Sequence, residues 1–64
     1  MEPNWSKAPT WAKYLTMDDM GIFIWWENKP IFDAIIGQWI SEVLGEKAYA
    51  GRLNIPNASI KEKP

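Results

Sequence analysis

The chain contains no cysteine and no histidine among its 64 residues. Without cysteine it has no disulfide, no thiolate metal ligand and no thiol nucleophile. Without histidine it lacks the commonest general base and metal ligand. A chain of this length folds as one small domain with a marginal core. These absences exclude most catalytic chemistry, so we predict a protein that is not an enzyme and that holds no metal and no cofactor.

The chain also lacks a marked charge excess and a long apolar run. Seven Lys and Arg stand against eight Asp and Glu, a net charge of −1, which argues against binding to nucleic acid. The longest apolar runs, Ile22–Trp26 and Ala34–Ile36, are far shorter than the ~20 residues of a membrane span. The first ten residues show no basic start followed by an apolar stretch. We therefore expect a cytoplasmic protein that does not bind membranes.

Tryptophan, in contrast, is abundant, with five in 64 residues. They are Trp5, Trp11, Trp25, Trp26 and Trp39. Each buried aromatic side chain removes ~150–250 Å² from water, so a few of them can build a core that a short chain otherwise lacks. The same side chains are typical anchors of protein interfaces. Composition alone leaves both uses open.

A β-hairpin is predicted over residues 11–27. Along residues 11–17, every second residue except Lys13 is large and apolar, which is the period of a strand. Ile22–Trp26 is a run of five β-formers. Between them lies Asp18-Asp19-Met20-Gly21, in which aspartate can hydrogen-bond its own backbone and glycine can adopt a positive φ. We interpret Asp18 and Asp19 as turn residues, because a catalytic carboxylate pair needs a cleft and convergent geometry.

The second half of the chain fits two structures. Apolar residues recur at helical spacing from Phe32 to Leu44, with Asp33 as a candidate N-cap, which predicts a helix over about 34–44. However, Gly37 would cost ~1 kcal/mol inside that helix. Its isoleucines, Trp39 and Val43 favour strands. The alternative is a strand over 38–41, a turn near residues 45–46 and a return strand through 47–54.

The ends of the chain are predicted to lie outside the folded unit. Residues 1–9 contain two prolines around one tryptophan, which predicts an extended arm. The last residues combine proline with alternating charges and have little to bury. We therefore predict a single domain over 10–56 and a flexible tail over 57–64.

Several positions along the chain carry a resemblance to known proteins. They are the run Trp11-Ala12-Lys13-Tyr14, then Met17-Asp18, Gly21, Trp25-Trp26-Glu27 and Lys29-Pro30, and further on Gly37, Trp39, Ser41 and Pro56-Asn57. This pattern resembles a family of small uncharacterised phage and prophage proteins, which continue through short strands. The resemblance implies a viral or prophage origin. It also shifts the fold prediction to a mostly β protein, a small antiparallel sheet of three or four strands made of the 11–27 hairpin and a second hairpin. A hairpin packed on one helix stays the alternative.

The strand Ile22–Trp26 is apolar on both faces. Successive strand residues point to opposite sides, so Ile22, Ile24 and Trp26 share one face and Phe23 and Trp25 the other. A short chain has little left to cover the second face, and an uncovered apolar face marks an interface. A homodimer is the simplest cover, because a two-fold axis lets the face cover its twin. The alternative is cover within one chain, by the arm with Trp5 or by residues 31–36.

Together these features predict a non-enzymatic protein-binding module, a homodimer that inhibits or redirects a host protein through an aromatic surface. A host defence factor is one such target that the resemblance implies. The predicted contact residues are Tyr14, Phe23, Trp25, Trp26 and Trp39, with Lys13 and Arg52 as polar contacts at the rim. One alternative function is a structural or assembly adaptor of a phage particle. The other is a dimer that binds a small nucleotide, with Trp or Tyr stacking on the base and Lys13 or Arg52 near the phosphate.

Overall fold

The computed structural model describes residues 2–54 and 57–64. The prediction of a mostly β fold is confirmed, because the described residues form six strands and one short 3₁₀ turn, without an α-helix. The strands are β1 (Tyr14–Met17), β2 (Ile22–Trp26), β3 (Ile31–Asp33), β4 (Gln38–Ile40), β5 (Lys47–Arg52) and β6 (Ser59–Glu62). Four of them form an antiparallel sheet in the order β5-β2-β1-β6, and β3 and β4 form a separate pair.

The predicted hairpin over residues 11–27 is present, although β1 starts only at Tyr14. In its turn, the Asp18 carboxylate accepts hydrogen bonds from the backbone N–H groups of Met20 (2.8 Å) and Ile22 (3.1 Å). Gly21 has a φ of +78° and lies directly against the backbone carbonyl of Leu53, so a Cβ there would collide with it. The interpretation of Asp18 as a turn residue is confirmed.

The helix predicted over residues 34–44 is wrong. Residues 34–37 form a turn and β4 follows it directly. Asp33 accepts a hydrogen bond from the Ile35 N–H at 3.0 Å, and Gly37, with a φ of +68°, donates its N–H to the Asp33 carbonyl at 2.8 Å. The polar residue that resembles a helix cap therefore begins a four-residue hairpin turn.

The strand alternative for this half places its strands correctly but pairs them wrongly. Strands occur at Gln38–Ile40 and Lys47–Arg52, inside the predicted ranges 38–41 and 47–54. They do not form a hairpin with each other, because β4 pairs with β3 and β5 pairs with the edge of β2. The second hairpin of the molecule is therefore the one over residues 31–40.

Both ends of the described chain are more ordered than predicted. The arm contains a 3₁₀ turn at Trp5–Lys7, and the Trp5 ring packs on Trp25 with ring centroids 4.9 Å apart. Ser59–Glu62 pairs along β1 as an edge strand. The predictions of an extended arm and a flexible tail are thus wrong for these two segments, because each meets a partner distant in sequence. The predicted boundary at residue 56 lies outside the described residues.

One face of the sheet carries the main core. Its buried residues are Ala12, Leu15, Met17, Phe23 and Trp25, with Trp5, Ala8, Trp11, Ala48, Ala50 and Leu53 packed against them. The face that contains Phe23 and Trp25 is therefore covered by residues of the arm and by residues in and just after β5. The prediction that this face is uncovered is wrong, and the alternative, cover by the arm with Trp5, is confirmed.

The opposite face is centred on Trp26. Its indole N–H donates a hydrogen bond to the Thr16 hydroxyl at 2.8 Å, and the Lys47 ammonium lies 5.4 Å from the centroid of its ring. A loop over residues 41–46 lies beside it, fastened where the Glu27 N–H donates to the Glu46 carbonyl (3.0 Å) and the Asn28 amide donates to the Leu44 carbonyl (2.7 Å). Trp26 on this second face is thus covered within one chain, whereas Ile22 and Ile24 on the same face are half-buried.

Candidate protein-binding surface

Three of the predicted contact residues are core residues. Phe23, Trp25 and Trp26 are only 3%, 5% and 2% exposed, so a partner cannot reach their rings while the chain is folded. Their assignment to a contact surface is therefore wrong. The physical reason is that a short chain needs its largest apolar side chains to build a core of its own.

The two remaining aromatic candidates are half-buried. Tyr14 lies in β1 opposite Trp26. Trp39 donates its indole N–H to the Met17 carbonyl at 3.0 Å and packs on Phe32, with ring centroids 5.3 Å apart. Trp39 thus fastens the second hairpin to the end of β1, which is a structural role.

The two basic candidates are exposed but far from each other. The Lys13 N–H bonds to the Trp26 carbonyl, at one end of β2, whereas Arg52 is paired with Ile22 at the other end. Four residues of strand separate those ends, about 13 Å at about 3.3 Å per residue. The structure therefore does not bring Lys13 and Arg52 together into one rim or one phosphate site.

The exposed apolar side chains lie elsewhere, and they are aliphatic. Among the described residues, eight large hydrophobic side chains are exposed, and six of them fall between residues 31 and 44. We call these six the aliphatic surface: Ile31, Ile35, Ile36, Ile40, Val43 and Leu44. Ile35 and Leu44 are 96% and 99% exposed, respectively. Their full side chains stand in solvent.

The geometry of the β3–β4 hairpin explains this exposure. Phe32 pairs with Trp39 across the two strands, and Ile31 pairs with Ile40. Neighbouring residues in a strand point to opposite faces, so the aromatic pair, fastened at Met17, is on one face and the isoleucine pair is on the other. A two-stranded hairpin that packs one face on a sheet leaves its second face in solvent.

The hairpin is held in place from both ends. At its turn, the Asp19 N–H donates to the Gly37 carbonyl at 3.1 Å. Beyond β4, the Glu46 N–H donates to the Glu27 carboxylate at 2.9 Å, next to the bonds from Glu27 and Asn28 described above. The segment of chain that carries the aliphatic surface is therefore held to the sheet by hydrogen bonds at both ends.

A half-open pocket of about 140 Å³ adjoins the aliphatic surface. It is lined by Trp26, Asn28, Ser41, Val43, Leu44, Gly45, Glu46 and Lys47. Pockets for small molecules and cofactors usually measure about 300–1,000 Å³. This pocket is smaller than that range, which argues against a nucleotide site here.

Two further features concern chemistry and membranes. Within residues 2–54 and 57–64, no three Asp or Glu side chains come together in a group that could hold a metal ion. In the same part of the chain, no helix has the length and apolar character to cross a bilayer.

No protein-family model, no curated protein and no solved structure matches the chain. The phage and prophage resemblance and the homodimer therefore stay predictions, the latter without the uncovered Phe23–Trp25 face that motivated it.

The sequence prediction missed the aliphatic surface because it placed the contacts on aromatic residues and interpreted residues 34–44 only as a helix or a strand. One signal was available in the sequence. No Lys or Arg occurs between Pro30 and Glu46, whereas Asp33 and Glu42 do. Carboxylates are seldom fully buried unless they are paired, so acids interspersed among these apolar residues indicate that part of the segment faces solvent.

Proposed function

We propose that this protein is a non-enzymatic protein-binding module that contacts its partner through the aliphatic surface. The observation that carries the proposal is the concentration of six exposed aliphatic side chains in fourteen consecutive residues of a 64-residue chain. The largest apolar patch on a folded monomer is often functional.

Burial of this surface would supply substantial binding energy. Full burial of a leucine or isoleucine side chain contributes about 1.5–3 kcal/mol, and Ile35 and Leu44 are both almost fully exposed. In the free protein these side chains contribute little to folding. Their apolar area is therefore available to a partner at almost no cost to the fold.

The fastening of the hairpin also supports a binding role. A surface that is already ordered loses less conformational entropy on association than a flexible loop does. The contacts at Gly37 and Glu46, and the indole bond of Trp39, hold the hairpin against the sheet. The aromatic side chains act here as supports of the surface and not as its contacts.

The partner that we propose is a host protein, since the resemblance implies a phage or prophage origin. The module would act by occupying a surface of that protein, for example of a defence factor, and so block or redirect it. Occlusion needs no catalytic group, in keeping with a chain that has no histidine and no cysteine.

The test is affinity capture from a lysate of the host with three forms of the protein. The first is the wild type and the second is the Ile35→Ser/Leu44→Ser variant. The third is the matched control Met20→Ser/Tyr49→Ser, which removes two exposed large side chains outside the surface. Thermal unfolding of each form checks that it is folded.

We expect one host protein to be captured at a defined ratio by the wild type and by the control, and not by the Ile35→Ser/Leu44→Ser variant. A protein that binds all three forms equally, or that is lost only with the control, would contradict the proposal.

A further inference from the structure

The charges of this chain are segregated, although they nearly cancel overall. Residues 18–46 contain six of the eight acidic residues and only one of the seven basic residues, a net charge of −5. The rest of the chain contains six basic and two acidic residues, a net charge of +4. The aliphatic surface lies entirely within the acidic part.

Carboxylates accompany the aliphatic surface in the fold as well as in the sequence. Glu42 precedes Val43, Glu46 is the last residue of the loop that carries Leu44, and both are exposed. Asp33, at the end of β3, is half-buried. In the part of the chain that the structure describes, none of these three carboxylates forms an ion pair, and the ion pair present joins Lys61 to Glu2 elsewhere.

The area of the surface fits one side of a standard protein interface. Its six side chains expose the equivalent of about four complete aliphatic side chains, on the order of 400 Å² of apolar area. A standard interface buries about 800 Å² on each partner, of which about 450 Å² is apolar. The remainder is polar rim, where the acidic residues Asp33, Glu42 and Glu46 outnumber Lys47, which lines the adjoining pocket.

From the charge and the area together, we infer that the partner of the aliphatic surface is a protein face that is apolar at its centre and basic at its rim. This inference rests on the proposed function and names the chemistry of its partner. Positive charge around an apolar face would pair with the exposed carboxylates of Glu42 and Glu46, steer the encounter and disfavour acidic competitors.

The same charges argue against a second copy as the occupant. A two-fold contact through this surface would bring Asp33, Glu42 and Glu46 of one copy close to those of the other, and like charges at an interface are unfavourable. The other exposed candidate is a strip on one face of β5, where Tyr49 lies between Lys47 and Arg52. This strip has one large apolar side chain, Tyr49, which is too small to cover the six side chains of the aliphatic surface.

The probes are three synthetic peptides of equal length in which leucine alternates with lysine, with serine or with glutamate. Binding to the full chain is followed by isoleucine and leucine methyl resonances, which locate the contact. At an ionic strength of about 50 mM, where the Debye length exceeds 10 Å, we expect the leucine–lysine peptide to shift the methyls of Ile35, Ile36 and Leu44. We expect it to bind about tenfold more tightly than the leucine–serine peptide and the leucine–glutamate peptide not to bind.

Charge variants separate the carboxylates of the rim from charge elsewhere. Glu42→Gln/Glu46→Gln should lower the affinity for the leucine–lysine peptide about tenfold and leave that for the leucine–serine peptide unchanged. Glu62→Gln, an exposed glutamate on β6, is the matched control and should change neither. Raised salt should remove the difference between the two peptides.

The outcomes distinguish the inference from the proposed function. If lysine and serine peptides bind this surface equally, the basic partner is wrong and the binding surface stands. If no peptide moves the methyls of the surface, the basic partner is wrong, and the proposed function is decided by the capture experiment above. Self-association that is lost in Lys47→Ser/Tyr49→Ser would identify a second copy as the occupant and overturn the inference.

Discussion

The sheet with its arm and the β3–β4 hairpin with its loop use apolar residues in opposite ways. In the sheet, the large side chains are aromatic and lie inside, as Trp25 and Trp26 show. In the hairpin and loop, the exposed large side chains are aliphatic, as Ile35 and Leu44 show. One region stabilises the fold, and the other offers contact area at little cost to that fold.

The difference follows from how much each part can cover. The sheet has four strands. The arm and the residues in and just after β5 cover its aromatic face. The hairpin has two strands of three residues each, and only its Phe32–Trp39 face can pack. A small chain thus completes one core and leaves the second face of its smaller hairpin uncovered.

The largest expected effect tests the buried side of this comparison. Trp25→Ala should lower the free energy of unfolding by about 3–5 kcal/mol, the usual cost of removing a buried tryptophan. A core of this size supplies about 3–5 kcal/mol in total, so the variant should be mostly unfolded in water. Urea unfolding followed by circular dichroism measures this. A folded variant that loses less than about 1 kcal/mol would show that the ring is not part of the core.

The second effect compares one glycine in each region. Both Gly21 and Gly37 have positive φ, which costs a non-glycine residue about 1–2 kcal/mol. At Gly21 a Cβ would also collide with the backbone of Leu53, whereas at Gly37 it would meet the Asp19 side chain at 3.0 Å, which can move. We expect Gly21→Ala to cost about 3 kcal/mol and Gly37→Ala about 1 kcal/mol. Equal costs in urea unfolding would contradict the close contact at Leu53.

The third effect concerns the hydrogen bond beneath the loop. Thr16→Val keeps the shape but removes the acceptor of the Trp26 indole N–H, and an unsatisfied buried donor costs about 1–3 kcal/mol. Thr16→Ser keeps the acceptor and serves as the control. Hydrogen exchange of the indole N–H should become faster in Thr16→Val and stay slow in Thr16→Ser. The same exchange rate in both would mean that Thr16 does not hold the ring.

The smallest effect on stability is expected in the aliphatic surface. Ile35→Ser and Leu44→Ser should each change the free energy of unfolding by less than about 0.5 kcal/mol, as exposed positions usually do. Urea midpoints and slopes of both variants measure this against the wild type. A loss of 2 kcal/mol or more, by the ~1.5–3 kcal/mol scale of a buried aliphatic side chain, would place these residues in the core.

The first half of the fold was predictable because its signals are local. The alternation before Met17, the Asp18 turn with Gly21, and the β-formers of Ile22–Trp26 all fall within one short stretch. The second half was ambiguous because the apolar residues from Phe32 to Leu44 fit both the period of a helix and that of a strand. Its outcome depends on pairing between β2 and β5, which no short window contains. The docking of Trp5 and the pairing of Ser59–Glu62 with β1 are long-range in the same way.

The contact surface was less predictable than the fold. Tryptophan is typical both of cores and of interfaces, and composition does not separate the two uses. In this chain Phe23, Trp25 and Trp26 went to the core because the arm and the 41–46 loop could cover them. The segregation of acids over residues 18–46 is visible in the sequence, but that range also contains the buried Phe23, Trp25 and Trp26 and so does not separate the surface from the core.

The most direct test of the central contrast is a nuclear magnetic resonance measurement on the free protein with a soluble paramagnetic probe. We expect strong broadening of the Ile35 and Leu44 methyl resonances and little broadening of the Trp26 indole N–H, at concentrations where the protein is a monomer. Broadening of the indole together with protection of those two methyls would contradict the account, because it would place the aromatic rings outside and the aliphatic side chains within.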